Sequence, residues 1–443
     1  MRTDTMMEED ILHEVMRMAQ AEGCNDVKIV LSEKTADDIT VLSGKVDKMQ
    51  HATIRSLSLN LFIDGRDGYF YTNRVSLQGM RDFIRKAVEA TRMLESDIAQ
   101  TLPDPARYYR GGGVDLRTAD PLLPAVTPQE KTRLALACNQ EIAGKHPALI
   151  SADTRYSDHY SRLWYLVSNG FEGFEQNSSV SLTTICTVDG VGGQHPMDGW
   201  GESRICFAGF PWEGISRKGL DRTLRKIGQH PIASGHYQLL VESPVADHLL
   251  QPMLAALSGQ ALQQQMSFLA NCQGQQVGSP LLDLVDDPLI PGTRGASYFD
   301  YDGVALERRS IFSKGRLCTY FIDTPNSHRL GMPATTQCAH HLIFTPGADT
   351  LDDLLCKAGD AILVTDFNGG NCDPSTGNFS YGIEGFHYKD GICVEPVSGI
   401  NVTGNMLHLW RHLVGVANDA DPWNVDLIPS LLFEDISFGG TAG

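Results

Sequence analysis

From Asp366 to Asp419 glycines and turn-forming residues interrupt every run of β-prone side chains. The run Asn368-Gly369-Gly370-Asn371-Cys372-Asp373-Pro374-Ser375-Thr376-Gly377-Asn378 is followed by Glu384-Gly385, Asp390-Gly391, Pro396-Val397-Ser398-Gly399, Thr403-Gly404-Asn405 and Gly415-Val416-Ala417-Asn418-Asp419. Most of such a segment cannot hold a helix, because glycine and proline break it and Asn, Asp and Ser compete for its backbone hydrogen bonds. It predicts short strands joined by tight turns, a compact antiparallel element.

Upstream the pattern alternates. Glu9–Glu22 reads as an amphipathic helix with Ile11, Leu12, Val15, Met18 and Ala19 on one face and Gly23 as its stop. Short β-prone runs follow at 27–31, 39–41 and 56–63, with Asp64-Gly65 as a hairpin turn and a returning strand at 69–72. Ser76 is placed to cap a helix striped by Leu77, Met80, Ile84, Ala87 and Val88. Prolines 103, 105, 121 and 124 and the Gly111-Gly112-Gly113 run make 96–126 a linker. Thr127-Pro128-Gln129-Glu130 is a capping-box start for a helix to about Lys145. Strands are expected at 162–167 and 180–188, with Ser168-Asn169-Gly170 as a turn, and a short helix at 220–227. After Pro231 a strand at 236–241 leads into a helix begun by Ser243-Pro244, with the stripe Val245, Leu249, Leu254, Leu257 and Ala261. Pro252 should kink or restart that helix. A last helix is expected at 405–414. The organisation is an N-terminal α+β subdomain (1–95), the linker, a middle α+β subdomain (127–232) and a β-rich C-terminal domain (233–443) with a few helices. The fold class is α+β, its N-terminal half an α/β-type region of two subdomains.

Charge narrows the function. Lys and Arg total 36 against 54 Asp and Glu, a net charge of −18. Nucleic-acid binding depends on basic groups displacing counterions from phosphates, so direct binding to DNA or RNA is not expected. The first ten residues are polar and acidic, and no apolar run approaches the roughly 20 residues that span a bilayer. The expected location is cytoplasmic, without membrane association. Ten cysteines occur singly, none as Cys-x-x-Cys, which fits reduced, mostly buried thiols.

Several segments then fall into one register. They are Ser43-Gly44-Lys45, Asp64-Gly65-Arg66-Asp67-Gly68, Phe299-Asp300-Tyr301-Asp302-Gly303-Val304, Arg308-Arg309, Lys314-Gly315, Leu330-Gly331 and the glycine-punctuated C-terminal stretch. In order and spacing they resemble the TldD/PmbA family, often labelled modulators of DNA gyrase and associated with peptide processing. The resemblance covers most of the chain. It implies paired subunits, one kind bearing a His-Glu-x-x-x-His zinc motif on a C-terminal-domain helix and the other, PmbA/TldE kind, lacking it. The matching helix here is 245–261, and between Leu249 and Ala261 it has no His, Glu, Asp or Cys. Zinc needs imidazole, thiolate or carboxylate lone pairs, and a peptidase also needs a base for the metal-bound water. The resemblance is therefore to the metal-free kind. It implies no cofactor, no metal ligands and no catalytic residues in this chain.

Other constellations were weighed on their own chemistry. His408 and His412 have i,i+4 spacing, but Leu409 stands where a zincin has its glutamate, so a helix surface is expected. His340 and His341 would point to opposite faces of a strand, one in the core and one exposed. Cys372 beside Asp373, or Cys393 six residues after His387, could form a thiol–imidazole pair, although nothing local lowers a thiol pKa. Trp164, Trp200, Trp212, Trp410 and Trp423 read as core or interface anchors, and the loop 190–201 as an ordinary surface loop. Gly377, Asn378, Phe379, Ser380 and Gly382 lack a P-loop ending; they read as turns, or as an edge strand that takes an extended peptide through backbone hydrogen bonds. The expected function is a non-catalytic subunit of a TldD/PmbA-type metalloprotease complex that processes extended peptides. Its partner would be a zinc-bearing homologue, in a heterodimer, or a second copy of itself. The alternatives are a self-sufficient thiol hydrolase using Cys372 and a homodimeric peptide-binding module.

Overall fold

A computed structural model describes residues 8–440. The first region comprises α1 (Glu8–Ala21), β1 (Asp26–Leu42), β2 (Lys45–Ile63), β3 (Arg66–Thr72) and α2 (Leu77–Arg92). The second comprises α3 (Pro128–Gln140), β4 (Leu149–Val167), β5 (Phe171–Val188), β6 (Met197–Arg204) and α4 (Ile215–Arg225). The linker between them holds only single 3-10 turns. Its length hides a continuous structure: β1 pairs antiparallel with β4 from Lys28↔Val167 to Leu42↔Asp153, so both regions share one six-stranded sheet, β3-β2-β1-β4-β5-β6.

The strands are far longer than the short apolar runs suggest. The separate runs at 27–31 and 39–41 are two ends of β1, and the expected strands at 162–167 and 180–188 are the last parts of β4 and of β5, the two long arms of a paired hairpin. Polar residues continue a strand where its outer face meets water, so an apolar count sees only the buried ends. The turns are as expected: Asp64 (φ 49°) and Gly65 (φ 73°) form a left-handed two-residue turn, which suits the twist of a tight hairpin. α1 and α2 cover one half of the sheet's inner face, burying Ile11, Val15, Met80 and Ile84 against Ile29, Leu31, Leu59 and Leu61. α3 and α4 cover the other half.

The helix starts divide. Thr127 and Glu130 close the expected capping box, with Thr127 N donating to Glu130 Oε2 at 2.9 Å and Glu130 N to Thr127 Oγ1 at 3.3 Å. Ser76 sits at the N-cap of α2, but its hydroxyl makes no capping bond. α3 ends at Gln140 rather than near Lys145.

The C-terminal domain runs β7 (Gly235–Val241), α5 (Ser243–Ala256), α6 (Gly259–Gln263), β8 (Leu284–Asp286), β9 (Arg309–Ser313), β10 (Arg316–Leu317), α7 (Thr324–Leu330), β11 (Leu342–Phe344) and α8 (Leu351–Ala358). It ends with β12 (Asp360–Cys372), β13 (Asn378–Lys389), β14 (Ile392–Asn405), α9 (Met406–Arg411), β15 (Leu413–Val416) and β16 (Leu431–Gly439). The order β14-β13-β12-β7-β16 closes on itself because β16 also pairs with β14 at Asn401↔Gly439, giving a barrel with β15 as a flap on β16. The β7–β12 pairing is parallel and its neighbours antiparallel. α5 passes through Pro252 without ending; the chain restarts only at Ser258, whose hydroxyl accepts from Ala261 N at 3.2 Å to cap α6. Burial of Leu249, Leu250 and Met253 in the largest core keeps α5 whole despite the missing donor.

The sheet and barrel are locked together. Lys226, 1% exposed, reaches Asp198 and Glu384 at 3.0 Å each, and Arg222 reaches Glu242 at 2.9 Å. On another contact Lys28 meets Asp302 at 2.6 Å.

Candidate functional site

The helix on which a zinc motif would sit is α5, and its composition fixes what it can do. Its inward face is Ala246, Leu249, Leu250, Met253 and Ala256, all buried and without a donor atom suited to zinc. One imidazole remains, His248. It is stacked on Phe367 at 4.3 Å and set edge-on to Tyr381 at 4.6 Å, and its Nε2 is buried without a partner. Burial lowers its pKa, which keeps the ring neutral. Among the described residues no group of three or more His, Cys, Asp or Glu is placed to hold a metal ion. A single ring boxed in by aromatics does not make the three-ligand set of a catalytic zinc, so the residues of α5 do not fit that metal.

β13 carries four of the five expected peptide-contact residues, and both its edges are paired, which corrects the edge-strand expectation. Asn378, Phe379, Ser380 and Gly382 pair with Asn405, Gly404, Thr403 and Asn401 of β14, while Phe379 and Ser380 also face Cys372 and Asn371 of β12. Both edges of β13 are taken, because barrel closure supplies a neighbour on each side. Gly377 precedes the strand and is buried against the Phe268 ring. Phe379 is buried in the barrel core, whereas Asn378 and Ser380 are exposed on the outer face.

The other sequence candidates fall in ordinary surroundings. Burial pushes the Cys372 thiol up to about 11, away from a thiolate, and its Sγ donates to Asp373 O at 3.7 Å. His387 is held between Asp360 (2.6 Å) and Glu395 (3.1 Å). His408 and His412 stack on the surface, ring centroids 4.0 Å apart, with His412 Nδ1 2.8 Å from His408 O. His341 is fully buried and bonded to Val425 O, while its neighbour His340 is only partly buried. Trp200 lies in β6, its Nε1 on Glu202 at 3.0 Å and Lys218 3.2 Å from its ring centroid. In the 190–201 loop the 3-10 turn Val191–Gly193 precedes β6, which takes up the rest from Met197.

The cleft lies elsewhere, where β5 of the open sheet faces the 294–301 segment of the C-terminal domain. It holds about 590 Å³. β6 pairs with β5 only from Val180 onward, so the start of β5 has no strand on its outer side. Ser178 N donates outward to Thr118 O at 3.0 Å, and Gln176 O accepts from Thr118 Oγ1 at 2.6 Å. Alternation along an antiparallel strand turns the backbone of Phe174 the same way, into the cleft. The free edge foreseen on β13 is therefore on β5. Phe174 itself is exposed beside Trp164.

Carboxyls line the cleft, Glu175 and Asp300 among them. Glu175 accepts from Tyr165 Oη at 3.3 Å and from Ser297 Oγ, and burial raises its carboxyl. Asp300 Oδ1 accepts from the amides of Asp302 (2.9 Å) and Val304 (3.0 Å); burial, and then Asp302, push its pKa up to about 6. A carboxyl raised as far as that of Asp300 holds its proton into the mildly acidic range and can donate a hydrogen bond to a carbonyl. Arg294 and His340 line the same cleft. Burial lowers the pKa of His340. These residues lie far apart in the chain. Only His340 and the Phe299–Val304 segment drew notice in the sequence; Glu175 fell in a strand the apolar runs missed, and Arg294 stands in a plain Pro291-Gly292-Thr293-Arg294-Gly295 loop.

An α+β chain with an open sheet clamped to a closed barrel, and a cleft between them, defines the architecture. Family models for PmbA/TldA metallopeptidases match it along its length: domain 1 at residues 27–91, the central domain at 121–227 and the C-terminal domain at 234–440. The chain belongs to the PmbA/TldD family. It is 26% identical over 421 residues to the metalloprotease PmbA homologue of Buchnera aphidicola (94% of this chain, 93% of that one). It is 22% identical over 434 residues to metalloprotease PmbA of Escherichia coli O157:H7 (95% and 94%). A crystal structure from Bacteroides thetaiotaomicron, described as a modulator of DNA gyrase, superposes with a TM-score of 0.96 at 40% identity over the whole of both chains. TldE from Thermococcus kodakarensis shares the fold, with a TM-score of 0.84 at 17% identity over 98% of this chain and all of that one. Among the described residues no helix is long and apolar enough to cross a membrane.

Proposed function

We propose that this chain is the metal-free member of a PmbA/TldD-type protease assembly. It holds an extended peptide while a homologous subunit bearing the His-Glu-x-x-x-His helix cuts it. The observation that carries the reading is α5: its inward face is Leu249, Leu250 and Met253, with His248 as a lone, ring-enclosed imidazole. The relatives called metalloproteases support the peptide-processing half of the reading, and the fold shared with TldE fits the supporting half. The open start of β5 offers backbone groups to a peptide in the way a missing strand would. Exposed Asn378 and Ser380, with Gly382, are proposed to meet a peptide through the outer face of β13, since their backbone is already used by the barrel. The cytoplasm is the proposed location.

The test is metal content and peptide hydrolysis on the same samples, alone and mixed with a zinc-bearing homologue. The expected result is neither stoichiometric zinc nor hydrolysis in the lone chain, and both in a stable mixed complex. Stoichiometric zinc with chelator-sensitive hydrolysis in the lone chain overturns the reading. A stable homodimer that binds peptide and recruits no homologue would favour the binding-module alternative. The raised thiol pKa of Cys372 gives no support to the hydrolase alternative.

A further inference from the structure

Arg294 is the unusual charge of the cleft. The sequence carries 54 acidic residues against 36 basic ones, so a carboxylate is easy to find for almost any arginine. Two other arginines have theirs: Arg204 meets Glu202 at 3.0 Å and lies over the Trp423 ring, and Arg309 meets Asp286 at 3.1 Å. Arg117, also of the cleft wall, has no ion pair among the described residues but is exposed to water. Arg294 makes no ion pair or hydrogen bond among the described residues, although it is half-buried in the cleft wall. A guanidinium stays charged at any physiological pH, and withdrawing an unpaired charge from water is costly. Burial and the nearby Arg204 both disfavour its charge, and the carboxylate of Asp421 offsets them only from a distance. The acids of the cleft have other partners. Glu175 is engaged by Tyr165 and Ser297, and Asp300 by two amides. A second basic group of the wall is also idle: His340 Nδ1 is buried and has no partner.

We propose that the cleft holds a carboxylate-binding subsite, with Arg294 as anchor for the carboxylate of a peptidic ligand. The guanidinium fork matches a carboxylate in two parallel hydrogen bonds. The ligand is peptidic because the outward backbone of Phe174 lines the same cleft, and about 590 Å³ has room for a short peptide end. The inference deepens the reading above in taking the ligand as a peptide, but it concerns binding by the lone chain and needs neither partner nor metal.

The carboxylate could be a peptide's C-terminus or an acidic side chain. Three acetylated hexapeptides separate these sources: one of neutral residues with a free C-terminus, its C-terminal amide, and an amide with one internal glutamate. Titration calorimetry on the lone full-length chain at pH 7 is expected to show the free acid binding at least tenfold tighter than its amide. In Arg294→Gln that preference should vanish, and Arg294→Lys should restore part of it, both with thermal midpoints no lower than the parent's. The glutamate peptide matching the free acid assigns the side chain as a source; its matching the plain amide assigns the C-terminus. Acid and amide binding alike, no binding of any peptide up to millimolar concentration, or an unchanged preference in Arg294→Gln each overturns the proposal. Hydrolysis by a mixed complex is a separate reading, so failure of the assembly and failure of the subsite are distinguishable.

Discussion

β5 and β13 look alike as sequence and end in opposite situations. Phe171-Glu172-Gly173-Phe174-Glu175-Gln176-Asn177-Ser178 and Asn378-Phe379-Ser380-Tyr381-Gly382 both mix aromatics with small polar residues. β13 is sealed between β12 and β14 because the barrel closes. The start of β5 is open because β6 is only eight residues long and stops at its Val180 end. Whether a strand can receive a peptide is thus decided by how many neighbours reach it, and local composition does not report that.

The largest expected effects break the closed side. A Cβ on Gly385 would sit 1.9 Å from Leu363 O, a backbone atom of the paired strand, so Gly385→Ala should cost about 3 kcal/mol or prevent folding. Gly439, which has open space and no positive φ, should accept alanine within about 0.5 kcal/mol. Urea unfolding of the pair measures the contrast. Comparable in size is the clamp between sheet and barrel. Lys226→Met leaves Glu384 without its cation and Asp198 with only Arg222, at 3.4 Å, and should cost about 3 kcal/mol, by the same assay.

A direct comparison of the two strands uses proline, which deletes one backbone donor. Ser380→Pro removes a donor inside the barrel and should cost about 3 kcal/mol. Phe174→Pro removes a donor that faces the cleft, and should lower the thermal midpoint no further than Phe174→Ala does. Equal losses at the two positions would mean that the β5 edge is not open.

The smallest effect concerns pH. Burial raises the carboxyl of folded Asp300 to about 6, from the ordinary aspartate value of 3.8. A raised carboxyl favours the folded state while protonated. Its contribution is therefore full below about pH 4 and lost as pH climbs from there to about 6, by roughly 2–3 kcal/mol at most. Asp300→Asn, which keeps an oxygen for the two amides, should flatten that slope in stability measured across pH 4–7.

Some of this was legible in the residues. The Asp64-Gly65 turn, the Thr127–Glu130 capping box and the buried stripe of α2 form as their local chemistry dictates, since each is completed within a few residues of chain. The donor-poor α5 was equally plain, because no fold can give Leu249 or Met253 a lone pair for zinc. The continuation of α5 through Pro252 was not legible: the core that holds it is gathered from β7, β12 and β16, and sequence pattern sees only the missing donor.

What the sequence determined by itself is therefore the chemistry carried by each element and the turns that begin and end it. An acidic chain of α+β type, with no zinc-binding set on its C-terminal helix, follows from residue types and their local spacing. Only the tertiary structure decided which edges stay open and which charges stay unpaired. The join of β1 to β4, the closure of β14 on β16 and the meeting of Glu175, Asp300, Arg294 and His340 in one cleft are contacts between distant segments. Their geometry is fixed by which apolar faces must be buried together, and hydrogen-bond partners are assigned only once that packing is complete.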